Sequence, residues 1–309
     1  MVFIWYCQIM SAHLRKTESE LPESSGIDTW SDGKILSAFV AGQERAIAAV
    51  KAATPQISKA ANAIAACLAG GGRLFYAGAG TSIRIGVQDG SELPATFGMA
   101  EDKLVYLIAG DRAAMFETLA DAEDNAEEGH RAASICKAGD ALIAIAASGS
   151  TPYTIAVAKH ARELGAKVVA VVNNPNSALG AAAEIEIFLD SGPEVIMGST
   201  RMGAGTAQKA ALNLLSTLTH IKLGAVHDGM MVNVRADNIK LRARARGIVS
   251  RIAEANEKDA AAALEISKGE VKPAVLMCAG AKSLDAAQQL LLESKGNLRL
   301  ALSRLAATR

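Results

Sequence analysis

Glycine and hydroxyl residues follow a short apolar run early in the chain, and this pattern could bind a phosphate. The run Leu74–Ala77 is typical of a buried strand, and the turn Gly78–Ser82 leads into a predicted helix. Glycine lets the backbone approach an anion closely, and the first N–H groups of a helix have no internal partner and can point at it. We therefore expect Gly80, Thr81 and Ser82 to bind a phosphate, although the two hydroxyls could also merely cap the helix.

A second turn of similar composition follows the third predicted strand. Ser148, Gly149, Ser150 and Thr151 lie between an apolar run and a helix. Pro152 suits the first helical turn, because its missing N–H would have no partner there. Ligands of open α/β sheets bind at the carboxyl ends of the strands, so two such turns predict one phosphate site. The chain has no GxxxxGK[ST] motif, and nucleotide triphosphate chemistry is not indicated.

Apolar strands alternate with helices in the segments around these turns. Such alternation is typical of a parallel sheet covered on both faces, in an α/β fold. Five strands are predicted, at Leu74–Ala77, Leu104–Ala109, Ala141–Ala146, Lys167–Val172 and Ile185–Leu189. Helices are predicted at Phe39–Ala69 with a break near Pro55, Thr81–Gln88, Asp111–Cys136 and Thr151–Leu164.

The segments that flank this region have a different character. Residues 17–37 are polar and are expected to be a loop or an extended arm. The predicted helix Gly203–Leu223 is apolar nearly all round. A second apolar face implies a second partner, most simply another copy of the chain, so a homodimer is expected. A basic helix over Arg235–Arg251 and a small helical domain over Asn256–Arg309 are predicted after it.

Composition and charge bear on the class of protein. The 32 basic residues equal the 32 acidic ones, which gives no argument for nucleic acid or a membrane as partner. Four separated cysteines without a CxxC motif predict free thiols in a reducing compartment. The apolar start MVFIWYCQIM lacks the basic residues of a signal peptide, and no run reaches the roughly 18 apolar residues of a membrane span. We expect a cytoplasmic protein whose first residues are an over-long start or a loose arm.

Six short motifs occur along the chain: AGAGTS, DGSELPATFG, AEDNAEEG, IAASGSTPY, NNPNSAL and GSTRMGAGTAQKAALNLLST. In this combination the chain resembles the N-acetylmuramic acid 6-phosphate etherases, from about Thr17 into the C-terminal helices. The resemblance implies a SIS-type (sugar isomerase) three-layer sandwich with a small C-terminal helical domain, similar to ubiquitin-associated domains. It also implies a homodimer without metal or cofactor. The corresponding domains are an N-terminal arm (1–38), the SIS sugar-phosphate domain (39–225), a linking helix (226–255) and the helical domain (256–309).

The resemblance further implies a lyase that converts N-acetylmuramic acid 6-phosphate into N-acetylglucosamine 6-phosphate and D-lactate. Glu92, in the SELP segment, matches the acid/base glutamate of the family. Glu123 matches its second glutamate, proposed to remove the C2 proton. From the residues alone Glu123 would be unremarkable, because Glu127 and Glu128 follow it closely and an acidic helix face is usually solvated.

Three positions depart from the pattern of the family. It usually has Gly where Ile83 stands, Arg where Ser150 stands and Lys where Gly203 stands. The last two departures remove two charge-assisted donors near an anionic ligand. Two alternatives therefore stay open, a sugar-phosphate-binding regulator without catalysis and a SIS aldose–ketose isomerase. The two retained glutamates favour the etherase over the regulator, and the SELP context of Glu92 favours it over the isomerase.

Overall fold

The computed structural model describes residues 15–307 apart from 118, 120 and 237. The predictions for the apolar start, and for Cys7 within it, lie outside the described residues. The chain divides into two compact units. The first comprises the chain up to Gly90 together with Leu104–Leu215, and the second comprises Ser91–Lys103 together with Ser216 onward.

A five-stranded, fully parallel sheet forms the centre of the first unit, as predicted. The strand order is β2-β1-β3-β4-β5, which places β1 between β2 and β3. In register, Leu74 of β1 lies opposite Leu104 of β2 on one side and Ala141 of β3 on the other. The strands are β1 (Leu74–Gly78), β2 (Leu104–Ile108), β3 (Ala141–Ala146), β4 (Lys167–Val172) and β5 (Ile185–Phe188).

Helices cover both faces of this sheet, because alternate strand residues point to opposite sides and both sets are apolar. Phe75, Leu142 and Val168 pack on one face with residues of α6. Leu74 and Ile143, which alternate with them, are buried as well. The helices are α1 (Asp32–Ala52), α2 (Thr54–Ala69), α3 (Gly80–Ser91), α4 (Leu93–Phe97), α5 (Ala126–Ala133), α6 (Pro152–Glu163), α7 (Ala178–Ala182) and α8 (Gly203–Lys222). Of these, α4 belongs to the second unit, and both α3 and α8 continue from the first unit into it.

The first long helix begins earlier than predicted. Helix α1 starts at Asp32, whereas residues up to 37 were expected to be loop. Asp32 in the first turn favours a helix start electrostatically, and Gly33 beside it is tolerated at a helix end. Residues 16–29 also contain short 3₁₀ turns, so the predicted arm is locally structured.

The prediction of a mostly helical segment over Asp111–Cys136 is wrong. Asp111 and Asp121 have φ angles of 56° and 59°, and positive φ values are incompatible with a right-handed helix. Among the described residues of this segment, only α5 is an α-helix, and it begins after Asn125, whose side chain accepts a hydrogen bond from the N–H of Glu128. Residues before this cap form separate 3₁₀ turns.

An ion pair joins the amino ends of two central strands. Arg73 precedes β1 and donates a hydrogen bond of 2.6 Å to the fully buried Asp140, which precedes β3. The N–H groups of Arg73 and Lys137 also donate to this carboxylate. Burial opposes its ionisation, but these bonds prevail and the pKa of Asp140 is lowered.

The second unit is helical apart from a short antiparallel hairpin of β6 (Val226–His227) and β7 (Met230–Met231). The predicted basic helix starts at Ile239 rather than Arg235, because Asn238 caps it by accepting the N–H of Leu241. Its residues Ala245 and Val249 pack in one core with the later helices. The helices are α9 (Ile239–Ala253), α10 (Glu257–Ile266), α11 (Val271–Cys278), α12 (Leu284–Glu293) and α13 (Leu298–Ala307).

No helix among the described residues has the length and apolar character needed to cross a membrane. Cys67, Cys136 and Cys278 are free thiols, and burial raises the pKa of Cys136 to about 11.

Candidate active site

Both hydroxyl-rich turns open into one cavity of the first unit. The cavity has a volume of about 470 Å³, within the usual range of small-molecule sites. It lies at the carboxyl ends of β1 and β3, which are adjacent strands, as expected for a ligand site in a parallel sheet. The residues that line it are Arg15, Glu18, Ala79, Gly80, Thr81, Ser82, Glu123, Asp124, Ala146, Ala147, Ser148, Ser150, Thr151, Pro152 and Thr200.

The first turn supplies a helix N-terminus and two hydroxyls. Helix α3 begins at Gly80, whose φ of +52° makes the sharp change of direction after β1 without steric strain. The N–H groups of its first turn have no intrahelical partner, and the helix dipole adds partial positive charge there. Thr81 and Ser82 line the cavity with these groups. The turn is therefore suited to an anion, as the sequence predicts.

The second turn presents the hydroxyls of Ser148, Ser150 and Thr151. Ser150 donates from its N–H and its Oγ to Ser148 Oγ, at 3.2 and 3.1 Å, which orients both side chains. Thr151 occupies the N-cap position of α6, but its hydroxyl makes no capping hydrogen bond. That hydroxyl is available to a ligand.

Gly149 allows the close packing of this turn against Ser177. Its φ is +65°, and a Cβ built on it would lie 2.3 Å from Ser177 Cβ. Glycine alone fits there. Its carbonyl accepts the N–H of Leu179 at 2.9 Å, and the residue lines an adjacent pocket of about 300 Å³ that shares Ser148 and Ser150 with the cavity. Its part in the predicted site is thus to hold the turn.

Glu123 faces this cavity, whereas Glu127 and Glu128 lie on a helix. The 3₁₀ turn Ala122–Asp124 follows the left-handed Asp121 and ends before the cap of α5. Glu123 and Asp124 line the cavity, and Glu127 belongs to the first turn of α5. The expectation that these acidic residues share one helix is therefore wrong, and the break in the chain is what separates Glu123 from them.

Glu92 belongs to the second compact unit. It directly precedes α4, and its backbone carbonyl accepts the N–H of Thr96 at 3.0 Å, so it starts the first turn of that short helix. The acid/base function of Glu92 stays a prediction.

Arg15 and Glu18 also line the cavity, and no motif indicated them. Their position depends on Thr17 between them, which is fully buried. The side-chain amide of Asn174 donates to Thr17 Oγ1 at 2.9 Å, and the N–H of Thr17 lies 3.4 Å from Asn174 Oδ1. Because these partners are 157 residues apart in the chain, no local pattern could have revealed the contact.

The structure shows the surroundings of two residues that depart from the family pattern, Gly203 and Ile83. The N–H groups of Gly203 and Ala204, at the start of α8, donate to the buried carboxylate of Glu194 at 2.9 Å each. A Cβ at Gly203 would lie 3.1 Å from this carboxylate, so a larger residue would press on it. Ile83 is fully buried in the core rather than exposed to the ligand cavity.

One group of possible metal ligands lies away from the cavity. The rings of His130 and His160 stack at 3.7 Å, and His160 Nδ1 lies 3.2 Å from Glu163 Oε2. One ligand atom from each residue lies within 4.8 Å of the others. Sequence spacing did not indicate this group, because His130 is on α5 and His160 is on α6.

In a comparison with known families, the family described as SIS domain matches residues 38–173. Similar curated proteins include the N-acetylmuramic acid 6-phosphate etherase of Symbiobacterium thermophilum, 48% identical over 84% of this chain and 87% of the relative. The etherase of Deinococcus radiodurans is 43% identical over 89% of this chain and 92% of the relative. That of Streptomyces avermitilis is 44% identical over 93% of both chains.

Among solved structures, a phosphoheptose isomerase from Francisella tularensis is similar, with 22% identity and a TM-score of 0.47 over 63% of this chain and 98% of that one. The curated relatives are much more similar and are matched over most of their length. The chain belongs to the N-acetylmuramic acid 6-phosphate etherase family.

Proposed function

We propose that the protein cleaves the D-lactyl ether of N-acetylmuramic acid 6-phosphate, giving N-acetylglucosamine 6-phosphate and D-lactate. The observation that carries the proposal is that the two hydroxyl-rich turns and Glu123 line the same cavity. A phosphate site beside a carboxylate is what this reaction needs. The etherase relatives, at 43–48% identity, support the choice of reaction.

The phosphate would bind at the carboxyl ends of β1 and β3. The N–H groups of the first turn of α3 and the hydroxyls of Ser82, Ser148, Ser150 and Thr151 offer it donors. Hydrogen bonds to a charged acceptor are stronger than neutral ones, so each of these hydroxyls can contribute to binding the phosphate. The phosphate would fix one end of the sugar, and the other end of the sugar would reach Glu123 in the same cavity.

The C–O bond at C3 is hard to break until the C2 proton is removed. In the open-chain sugar, C2 lies next to the C1 aldehyde, which makes its proton acidic. Glu123 would remove this proton to give an enolate, whose electron pair would then form the C2=C3 double bond as the C3–O bond breaks. Glu92 would give a proton to the departing lactate oxygen. The products of this step are D-lactate and an unsaturated aldehyde.

Hydration completes the reaction. Glu92, now ionised, would remove a proton from water, and the resulting hydroxide adds at C3. Protonated Glu123 would return a proton to C2, which restores both carboxyl groups to their starting states. General acid and base catalysis of this kind contributes about 10²–10⁴ in rate for each group. The reaction needs no oxidant or reductant, and no step requires a metal or cofactor.

The test is incubation of the purified protein with N-acetylmuramic acid 6-phosphate and an enzymatic assay for D-lactate. Release of D-lactate together with N-acetylglucosamine 6-phosphate is expected. Binding of sugar phosphates without any turnover would instead indicate a regulator. Conversion of an aldose phosphate into its ketose without lactate release would indicate an isomerase, and either result would overturn the proposal.

The proposed assembly is a homodimer. Helix α1 leaves Leu36, Val40 and Ile47 exposed, at a spacing that places them on one face, and Leu214 of α8 is exposed as well. Contiguous exposed apolar side chains of this kind are typical of a contact with another protein, and a second copy of the chain is the simplest partner. Light scattering at micromolar concentration should give twice the monomer mass. Val40→Lys should shift the equilibrium toward monomer, and a monomeric wild-type protein would contradict the proposal.

The free thiols suit a reducing compartment, and we expect the protein to be located in the cytoplasm.

A further inference from the structure

The acidic side chains that line the cavity do not favour an anionic ligand unless a cation is also present. Three carboxylates line it, those of Glu18, Glu123 and Asp124. A phosphate monoester carries a charge of about −1.5 to −2 at neutral pH, so these groups repel it. Hydroxyls and N–H groups contribute only partial charges. Among the residues that the structure describes, Arg15 is the single cation that lines this cavity.

The backbone of Arg15 is held at the edge of the cavity by an ion pair and hydrogen bonds of the residues that follow it. Lys16 forms an ion pair of 2.7 Å with Asp190, and Thr17 is bonded to Asn174 as described above. The carbonyl of Arg15 itself accepts the N–H of Glu18 at 2.8 Å. These contacts involve the neighbours and the backbone, so they leave the guanidinium of Arg15 uncommitted. None of the ion pairs between described residues includes it.

Arg15 also lines the adjacent pocket of about 300 Å³. Ser148 and Ser150 line both this pocket and the cavity, as Arg15 does. Its side chain can therefore reach the turn where the phosphate is expected. A guanidinium has five N–H donors in a fixed plane, and it binds two oxygens of a phosphate at once.

We propose that Arg15 binds the phosphate of the substrate and makes the cavity selective for phosphorylated sugars. This inference rests on the proposed function for the identity of the sugar, but it needs only an anion at the two turns. Charge-assisted hydrogen bonds predict that Arg15→Gln weakens binding of the phosphorylated sugar by about 10- to 100-fold. Arg15→Lys should retain part of the affinity, because it keeps the charge but loses the planar pair of donors.

Isothermal titration calorimetry with N-acetylglucosamine 6-phosphate, N-acetylglucosamine and inorganic phosphate tests the proposal. Wild type, Arg15→Gln, Arg15→Lys and the matched control Arg131→Gln are compared. Arg131 is 78% exposed on α5 and pairs with Glu128, so its loss removes an equal charge away from the cavity. We expect the wild-type preference for the phosphorylated sugar to be largely lost in Arg15→Gln alone. Circular dichroism and thermal unfolding check that the variants fold.

Several results would separate this proposal from the proposed function. Unchanged affinity of Arg15→Gln for the phosphorylated sugar would overturn the assignment of Arg15, even if D-lactate release confirmed the etherase. An equal loss of affinity with and without the phosphate would also overturn it, because the effect would not concern the anion. Phosphate binding that depends on Arg15, in a protein that releases no D-lactate, would support Arg15 and count against the reaction. If the wild-type protein bound none of the three probes, the assignment of Arg15 would fail, whereas the assay for D-lactate would still decide the reaction.

Discussion

Replacing Glu123 by glutamine tests the chemistry of the cavity most directly. Glu123 is exposed and lies in a 3₁₀ turn, and the amide has nearly the same shape as the carboxylate. The free energy of unfolding should therefore change by no more than about 0.5 kcal/mol. Loss of a general base slows a reaction by about 10²–10⁴, which equals about 2.7–5.4 kcal/mol in activation free energy. The effect on the rate should exceed the effect on stability about fivefold or more.

The assay measures two quantities of the same reaction: the release of D-lactate, and the incorporation of deuterium at C2 when the solvent is D₂O. Glu123→Gln should slow both, because removal of the C2 proton precedes the departure of lactate. Affinity for N-acetylglucosamine 6-phosphate should stay equal or increase, because the substitution removes one negative charge from the cavity. The matched control is Glu127→Gln, an exposed glutamate four residues later in the first turn of α5. It should keep the wild-type rate within about twofold and lose only the weak attraction to the helix N-terminus, about 0.3–1 kcal/mol.

The reasoning would be refuted if Glu123→Gln released D-lactate at the wild-type rate. It would also fail if Glu127→Gln slowed the reaction as strongly, because the rate would then depend on acidic charge in general. If Glu123→Gln slowed lactate release but left deuterium exchange intact, the two glutamates would have the opposite roles.

Three further substitutions address the second carboxylate, the sheet and the turn. Glu92→Gln should abolish D-lactate release while deuterium still enters C2, as mass spectrometry of the recovered substrate can show; loss of exchange would contradict the assigned role. Asp140→Asn should lower the free energy of unfolding by about 2–3 kcal/mol at pH 7, because it breaks the pair with the partly exposed Arg73. Because hydrogen bonds hold the pKa of Asp140 below its ordinary value, this difference should be full above about pH 5 and be lost only as the pH falls through that lowered pKa in urea titrations. A difference independent of pH would argue against the ion pair. Gly149→Ala should destabilise the protein by about 2–4 kcal/mol through its positive φ and its overlap with Ser177, and a melting temperature equal to wild type would contradict that geometry.

The sheet and the two turns could be predicted because their signals are local. Buried parallel strands are continuous apolar runs, and β3 is apolar at every position. The two hydroxyl-rich turns combine glycine with hydroxyls directly after such runs, and the order of the strands then brings Ser82 and Ser148 to one cavity. Composition and spacing therefore predicted the turn residues that line this cavity.

Other features depended on contacts that no local pattern contains. The break at Asp121 was missed because aspartate can adopt either sign of φ, and the surrounding residues favour a helix. Arg15 was missed because its place depends on the bond between Thr17 and Asn174, far apart in the chain. Glu123 was assigned through the resemblance to the etherases, and only the structure distinguishes it from Glu127.

The side-chain amide of Asn174 connects the segment around Thr17 with one of the turns that line the cavity. It donates to Thr17 Oγ1 and to the carbonyl of Ala147, at 2.9 Å each, so one group joins the N-terminal segment to the start of the second turn. Coupling between two such elements is reciprocal: if docking of the segment strengthens ligand binding, ligand binding strengthens docking of the segment by the same coupling free energy. Hydrogen exchange at the amide of Thr17 should therefore slow when the cavity is filled, and Asn174→Ala should abolish this protection. An affinity tag or a cut close to Thr17 would, by the same linkage, weaken binding of the sugar phosphate without touching it.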